Sequence, residues 1–130
     1  MENPYADEAR ERWGDTDAYR ESQRRASTYT PADWERIKAE GAEVSRRLVA
    51  ALHAGTPADD PAVMELAEEH RRQISRWFYE CGYDIHRGLA DMYVADPRFT
   101  ATYEEQAPGL ARYLHDAIHA NAARAQGSSV

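Results

Sequence analysis

Thr30-Pro31-Ala32-Asp33-Trp34-Glu35-Arg36-Ile37-Lys38-Ala39-Glu40-Gly41-Ala42-Glu43-Val44 is the stretch whose reading decides the fold. Thr30 offers a side-chain oxygen to cap free N–H groups, Pro31 suits the first helical position, and Asp33 brings negative charge to the first turn. Trp34, Ile37, Gly41, Val44, Leu48 and Leu52 then recur at steps of three and four, which puts them on one helical stripe that must face a core. Gly55-Thr56-Pro57 supplies the stop.

Working outward, a second helix is predicted from Asp59 or Asp60, with Pro61 in its first turn and Val63, Leu66, Ala67, His70, Ile74, Trp77, Phe78 and Cys81 on its apolar side. This reading runs the helix to Cys81 and turns the thiol toward the core. Gly82 is expected to end or kink it, because a residue without Cβ tolerates the left-handed conformation. Ile85, Leu89, Met92 and Tyr93 restart the pattern, Asp96-Pro97 opens a short helix with Phe99 and Tyr103, and Pro108 precedes a last helix through Leu110, Tyr113, Leu114, Ala117, Ile118 and Asn121. Gln126 to Val130 read as a frayed tail. Tyr5 to Trp13 and Asp15 to Ala26 are charged segments with a thin apolar side, so they are expected to order only when something docks. No period-two strand pattern and no repeat occurs, which makes the chain all-α.

The length of 130 residues fits one domain, and the formal charge of −7 argues against a phosphate-binding face, so no nucleic acid is expected to bind this chain alone. The apolar runs fall far short of the ~20 residues a membrane helix needs, and Met1-Glu2-Asn3-Pro4 lacks a signal-peptide pattern. A soluble, cytoplasmic protein is the expectation. The single cysteine, Cys81, cannot form an internal disulfide or a zinc cage by itself.

Arg76-Trp77-Phe78-Tyr79-Glu80-Cys81-Gly82-Tyr83-Asp84-Ile85-His86 sets that cysteine among aromatics, which suits a binding wall with one soft nucleophile. Two accounts of Cys81 stand side by side: a small buried hydrophobe, or a thiolate favoured by Arg76 and His86 and opposed by Glu80. His115 and His119, at i, i+4, could grip a metal ion, but the sequence marks no third ligand, and no metal site is expected. His70 and His86 read as buried histidines bonded to a neighbouring carboxylate or carbonyl rather than as haem ligands. With 8 Tyr and 3 Trp against 2 Phe, the aromatics carry polar handles suited to a partly wet groove, or equally to helix-packing rims.

Several blocks in order, Glu11-Arg12-Trp13-Gly14-Asp15-Thr16-Asp17-Ala18-Tyr19, Tyr29-Thr30 with Asp33-Trp34, Glu69-His70-Arg71, Cys81-Gly82-Tyr83 with His86, Met92-Tyr93-Val94 with Arg98-Phe99-Thr100, and Pro108-Gly109-Leu110-Ala111, resemble the TipAS antibiotic-recognition domain. That family is the effector-binding half of thiostrepton-induced regulators of the MerR type, and the resemblance runs from about Glu11 to Arg124. It implies a compact, globin-like helical fold without haem, whose cleft binds thiopeptides and related peptide-like antibiotics. It also implies a cysteine, by position Cys81, that adds to a dehydroalanine of the ligand, a Michael acceptor needing no leaving group. Such capture is stoichiometric, so no enzyme and no cofactor are expected. Two features depart from the family pattern: the chain carries no helix-turn-helix segment, and Arg76-Trp77-Phe78 places two bulky aromatics one turn before Cys81, where the resemblance implies smaller or more polar residues.

The resulting expectation divides the chain into N-terminal lid helices over 1–28, a core over 29–126 and a disordered tail over 127–130. Trp77, Tyr79, Tyr83, His86, Tyr93 and Tyr113 are expected as cleft walls, Cys81 as the covalent anchor, and Trp13, Asp15 and Tyr19 on the lid. The competing reading is an interaction module whose aromatic face docks a partner protein or a second copy as a homodimer.

Overall fold

The computed structural model describes residues 17–127, which form six α-helices and no strand. These are α1 (Asp17–Ala26), α2 (Pro31–His53), α3 (Pro61–Trp77), α4 (Tyr83–Ala95), α5 (Pro97–Glu104) and α6 (Leu110–Gly127). Trp13, Asp15 and residues 128–130 lie outside the described residues, as does most of the expected lid.

The helix starts follow the local chemistry. Thr30 and Asp33 form a reciprocal capping box, Thr30 Oγ1 accepting from Asp33 N at 3.2 Å and Asp33 Oδ2 from Thr30 N at 3.0 Å, with Pro31 next in line. Asp60 and Asp96 cap α3 and α5 in the same position relative to Pro61 and Pro97. The start of α6 is capped from outside: the Glu104 carboxylate accepts from Gly109 N at 2.8 Å and Ala111 N at 3.0 Å, which holds its pKa below the ordinary value. At its far end α6 stays helical through Gln126 and Gly127, past the point where the sequence suggested fraying.

Helix α6 is the hub. Leu110, Leu114, Ala117 and Ile118 are almost entirely buried, and they cluster with Val44 and Leu48 of α2, Val63 and Ala67 of α3, and Ala90 and Tyr93 of α4. Alanines on the facing sides of α4 and α6 let these two helices pack closely.

The structure corrects two expectations around Cys81. Helix α3 ends at Trp77, a turn earlier than predicted, so Cys81 sits in the linker 78–82. The linker is held by side chains from α3: Ser75 Oγ accepts from Cys81 N at 3.0 Å, and Arg71 Nη1 donates to Cys81 O at 2.8 Å. With those backbone groups satisfied, the chain leaves the helix without a glycine. Gly82 instead caps α4 at φ −73°, so it makes no use of left-handed freedom; positive φ among the described glycines belongs to Gly55 and Gly109.

Candidate functional site

A groove of about 720 Å³ opens between α2, the C-terminal half of α3, and α5. Ile37, Leu48, Ile74, Trp77, Phe78 and Leu114 give it an apolar lining, while Lys38, Ser45, His70, Gln73, Tyr103 and Gln106 add polar groups along it. Gly41 stands in the α2 wall, and nothing lies within 4 Å of where its Cβ would be. A glycine inside a helix costs about 1 kcal/mol relative to alanine, and no packing constraint on the Cβ accounts for this one.

The mouth of the groove is aromatic and held rigidly. Trp77 Nε1 donates to Glu40 Oε1 at 2.9 Å, and the same oxygen accepts from Arg76 Nη1 at 2.8 Å. Gln73 Nε2 donates to Glu40 O at 2.9 Å, tying α3 to α2. Tyr29 packs edge-on against both Trp77 and Trp34, with centroids 5.4 and 5.7 Å away, and its hydroxyl donates to Trp77 O. Trp34 in turn leans on Phe78. Arg25 Nη1 donates to Ser75 O at 2.7 Å, which fixes α1 beside the end of α3, close to this mouth.

His70 lines the groove and pairs with a buried histidine behind it. Its Nδ1 lies 2.9 Å from Nε2 of His86, and the two rings are stacked. His86 is 0 % exposed, and its Nδ1 is the buried side-chain atom without a hydrogen-bond partner among the described residues. Burial lowers the pKa of His70 to about 4 and that of His86 to about 3, so both are neutral at pH 7. Buried N–H groups without an acceptor are rarer than under-satisfied acceptors, which favours a bare His86 Nδ1. With that assignment of tautomers, His86 Nε2–H donates to His70 Nδ1 and the His70 proton sits on Nε2. The sequence reading paired each histidine with a carboxylate or carbonyl; the structure pairs them with one another.

Behind α3 lies a second arrangement, closed and polar. Glu68, 6 % exposed, accepts from Arg71 Nη2 at 2.5 Å, Asn121 Nδ2 at 2.9 Å and Tyr83 OH at 3.1 Å. Burial alone would raise its pKa, but the bonds from Arg71 and Asn121 and the charge of Arg71 win and bring it down to about 2. The Arg71 guanidinium also sits 4.4 Å from the Tyr83 ring centroid. Cys81 is 0 % exposed beside this cluster, and burial pushes its thiol up to about 11, with Glu68 adding to the rise and Arg71 opposing it. As the chain stands, Cys81 is a buried free thiol that does not line the groove.

Of the expected walls, Trp77 borders the groove. His86 stands behind His70, Tyr93 lies in the core against His70, Phe99 and Tyr103, and Tyr83 belongs to the Glu68 cluster. Tyr113 is a core residue whose hydroxyl donates to Thr56 O at 2.7 Å, fastening the loop between α2 and α3. Tyr79 is half-buried in the linker, its pKa raised to about 12 by burial. Tyr19 is part of α1.

Residues 5–121 match the model of the family described as the TipAS antibiotic-recognition domain. The chain belongs to that family. The TipAS relatives include the HTH-type transcriptional activator TipA of Streptomyces coelicolor, 52 % identical over 120 residues, a match that covers 92 % of this chain and 47 % of TipA. The HTH-type transcriptional activator mta of Bacillus subtilis is 37 % identical over 114 residues, covering 88 % of this chain and 43 % of mta. The chain thus spans about half the length of the curated relatives it matches. A solved structure of TipAS in complex with nosiheptide, from a thiopeptide antibiotic multidrug resistance system of Streptomyces lividans, superimposes with a TM-score of 0.87 at 51 % identity, covering 93 % of this chain and 85 % of that one. The TipAS fold, all-helical and globin-like, is therefore the fold of this chain. None of its described helices is long and apolar enough to cross a membrane.

Proposed function

We propose that this chain recognises peptide-like antibiotics of the thiopeptide class in the groove between α2, α3 and α5, as the effector-binding part of a regulator or as a stand-alone drug-binding protein. The observation that carries the reading is an open, mostly apolar groove with a few fixed polar groups in a domain of the antibiotic-recognition family. Its volume lies in the range of small-molecule sites. Trp77 and Phe78 offer flat faces for the heteroaromatic rings of such a ligand, and His70 Nε2–H supplies a donor for a backbone carbonyl. The open space at Gly41 leaves the groove deep enough for a bulky ring. Trp13, Asp15 and Tyr19 are proposed to close over this mouth, a reading supported by the docking of α1 beside the end of α3. Folding a segment over a ligand costs ordering entropy, which the apolar contact of Trp13 and Tyr19 would offset.

Binding in this scheme precedes any covalent step. A protonated, fully buried thiol does not attack a dehydroalanine, so adduct formation at Cys81 requires the 78–82 linker to open first. Thermal shift and intact-protein mass spectrometry with nosiheptide test both parts. The expected result is a rise in Tm at once, kept in Cys81→Ser, with any adduct accumulating far more slowly and vanishing in that variant. No thermal shift with the wild-type protein, or loss of the shift in Cys81→Ser, would contradict the proposal.

A further inference from the structure

On the outer edge of the seam between α4 and α6, one carboxylate stands against two imidazoles. His119 Nε2 lies 2.8 Å and His115 Nε2 3.2 Å from the same Asp91 Oδ1, and the three atoms fall within 4.8 Å of one another. The two histidines are four residues apart on α6, so they share a helical face and present their rings together, with centroids 4.5 Å apart. A tetrahedral ion with bonds of about 2.0–2.1 Å holds its ligand atoms about 3.3 Å from each other. The two carboxylate–imidazole separations, 2.8 and 3.2 Å, would open by at most about half an ångström to meet that condition, and the ring nitrogens already lie within 4.8 Å of each other.

A second feature points the same way. His115 Nδ1 is 2.8 Å from Asp116 Oδ1, and Arg112 Nε donates to that same oxygen at 3.2 Å. Metal-ligating histidines are typically oriented by a carboxylate on the ring nitrogen that does not bind the ion. Exposure grades outward, from 18 % for the His115 side chain to 35 % for His119 and 64 % for Asp91, which leaves a solvent-facing position for water. Two imidazoles and one carboxylate suit a borderline divalent transition ion and not calcium or magnesium, which require oxygen donors.

We propose that Asp91, His115 and His119 form a surface site for a divalent transition ion of the zinc type, with water completing the coordination and the ion bridging α4 to α6. None of the three residues borders the antibiotic groove, so the site is separate from it. Isothermal titration of the untagged chain with zinc chloride, followed by thermal melting, provides the test. One equivalent is expected to bind and to raise Tm, because a ligand that binds the folded state alone stabilises it. Binding should be lost in His119→Ala and weakened ~10–100-fold in Asp116→Ala. It should be unchanged in His53→Ala, which removes an exposed histidine at the end of α2. His119 is a surface residue, and the metal-free Tm of each variant shows whether it has folded; Asp91→Asn serves as the second ligand variant. Failure of the wild type to bind one equivalent, or wild-type affinity in folded His119→Ala and Asp91→Asn, would overturn the site.

Discussion

The two sides of α3 are built on opposite principles. On its rear side the polar groups bond to one another: Glu68 takes bonds from Arg71, Asn121 and Tyr83, Arg71 also holds Cys81 O, and Ser75 holds Cys81 N. On its groove side His70, Gln73 and Trp77 line an open space, and each is held by a neighbour, Trp77 and Gln73 by Glu40 and His70 by His86. A closed, satisfied network gives rigidity; aimed groups beside an apolar wall give recognition. Cys81 belongs to the closed side, which is why the proposed recognition begins in the groove and not at the thiol.

Breaking the rear side should cost the most. Glu68→Ala strips Arg71, Asn121 and Tyr83 of their shared acceptor and leaves a largely buried guanidinium without its charge partner, with a loss of about 3 kcal/mol in denaturant unfolding. Nosiheptide affinity of the folded fraction should change little. A destabilisation below about 1 kcal/mol would mean that the network is not what holds this side together.

Acid offers a smaller perturbation that separates the two sides by pH. The folded pKa values of His70 and His86, about 4 and 3, lie below the ordinary 6.5, so the unfolded chain takes up protons first and stability falls as pH drops below about 6.5. The expected loss between pH 7 and pH 5 is about 2 kcal/mol, allowing for the partial exposure of His70. Glu68, about 2 in the folded state against an ordinary 4.5, contributes stability above pH 4.5 that is lost as pH falls from there toward 2. Denaturation midpoints measured across pH 7 to 3 should decline in these two stages. A flat profile between pH 7 and 5 would show that the histidine pair is solvated.

Much of this architecture is legible in the sequence, because helix starts are local. Thr30-Pro31, Asp60-Pro61 and Asp96-Pro97 each announce a cap and a first turn within two residues, and the α2 stripe from Trp34 to Leu52 names its core face. The end of α3 is not local in that sense. It depends on Arg71 and Ser75 reaching ten and six residues ahead to Cys81, a pattern with no composition signal. The groove is drawn from four helices, so periodicity shows that His70, Gln73 and Trp77 lie on α3 and not which open space they share. Tyr93 and Tyr113 are expected as walls on the strength of their polar handles, but each hydroxyl is bonded within the chain, that of Tyr93 with Tyr103 and that of Tyr113 with Thr56 O. Asp91 was missed because it lies 24 and 28 residues before its histidine partners, and only the packing of α4 on α6 joins them.

The most direct test of the groove as the recognition site is the affinity of Gly41→Leu for nosiheptide, measured by isothermal titration. Gly41 has open space where its Cβ would sit, and leucine favours helix over glycine by up to about 1 kcal/mol, so the variant should fold with unchanged or higher Tm. Its side chain would project into the groove, and affinity is predicted to fall at least ~10-fold, equivalent to 1.4 kcal/mol. Wild-type affinity in a folded Gly41→Leu would contradict the assignment of the groove.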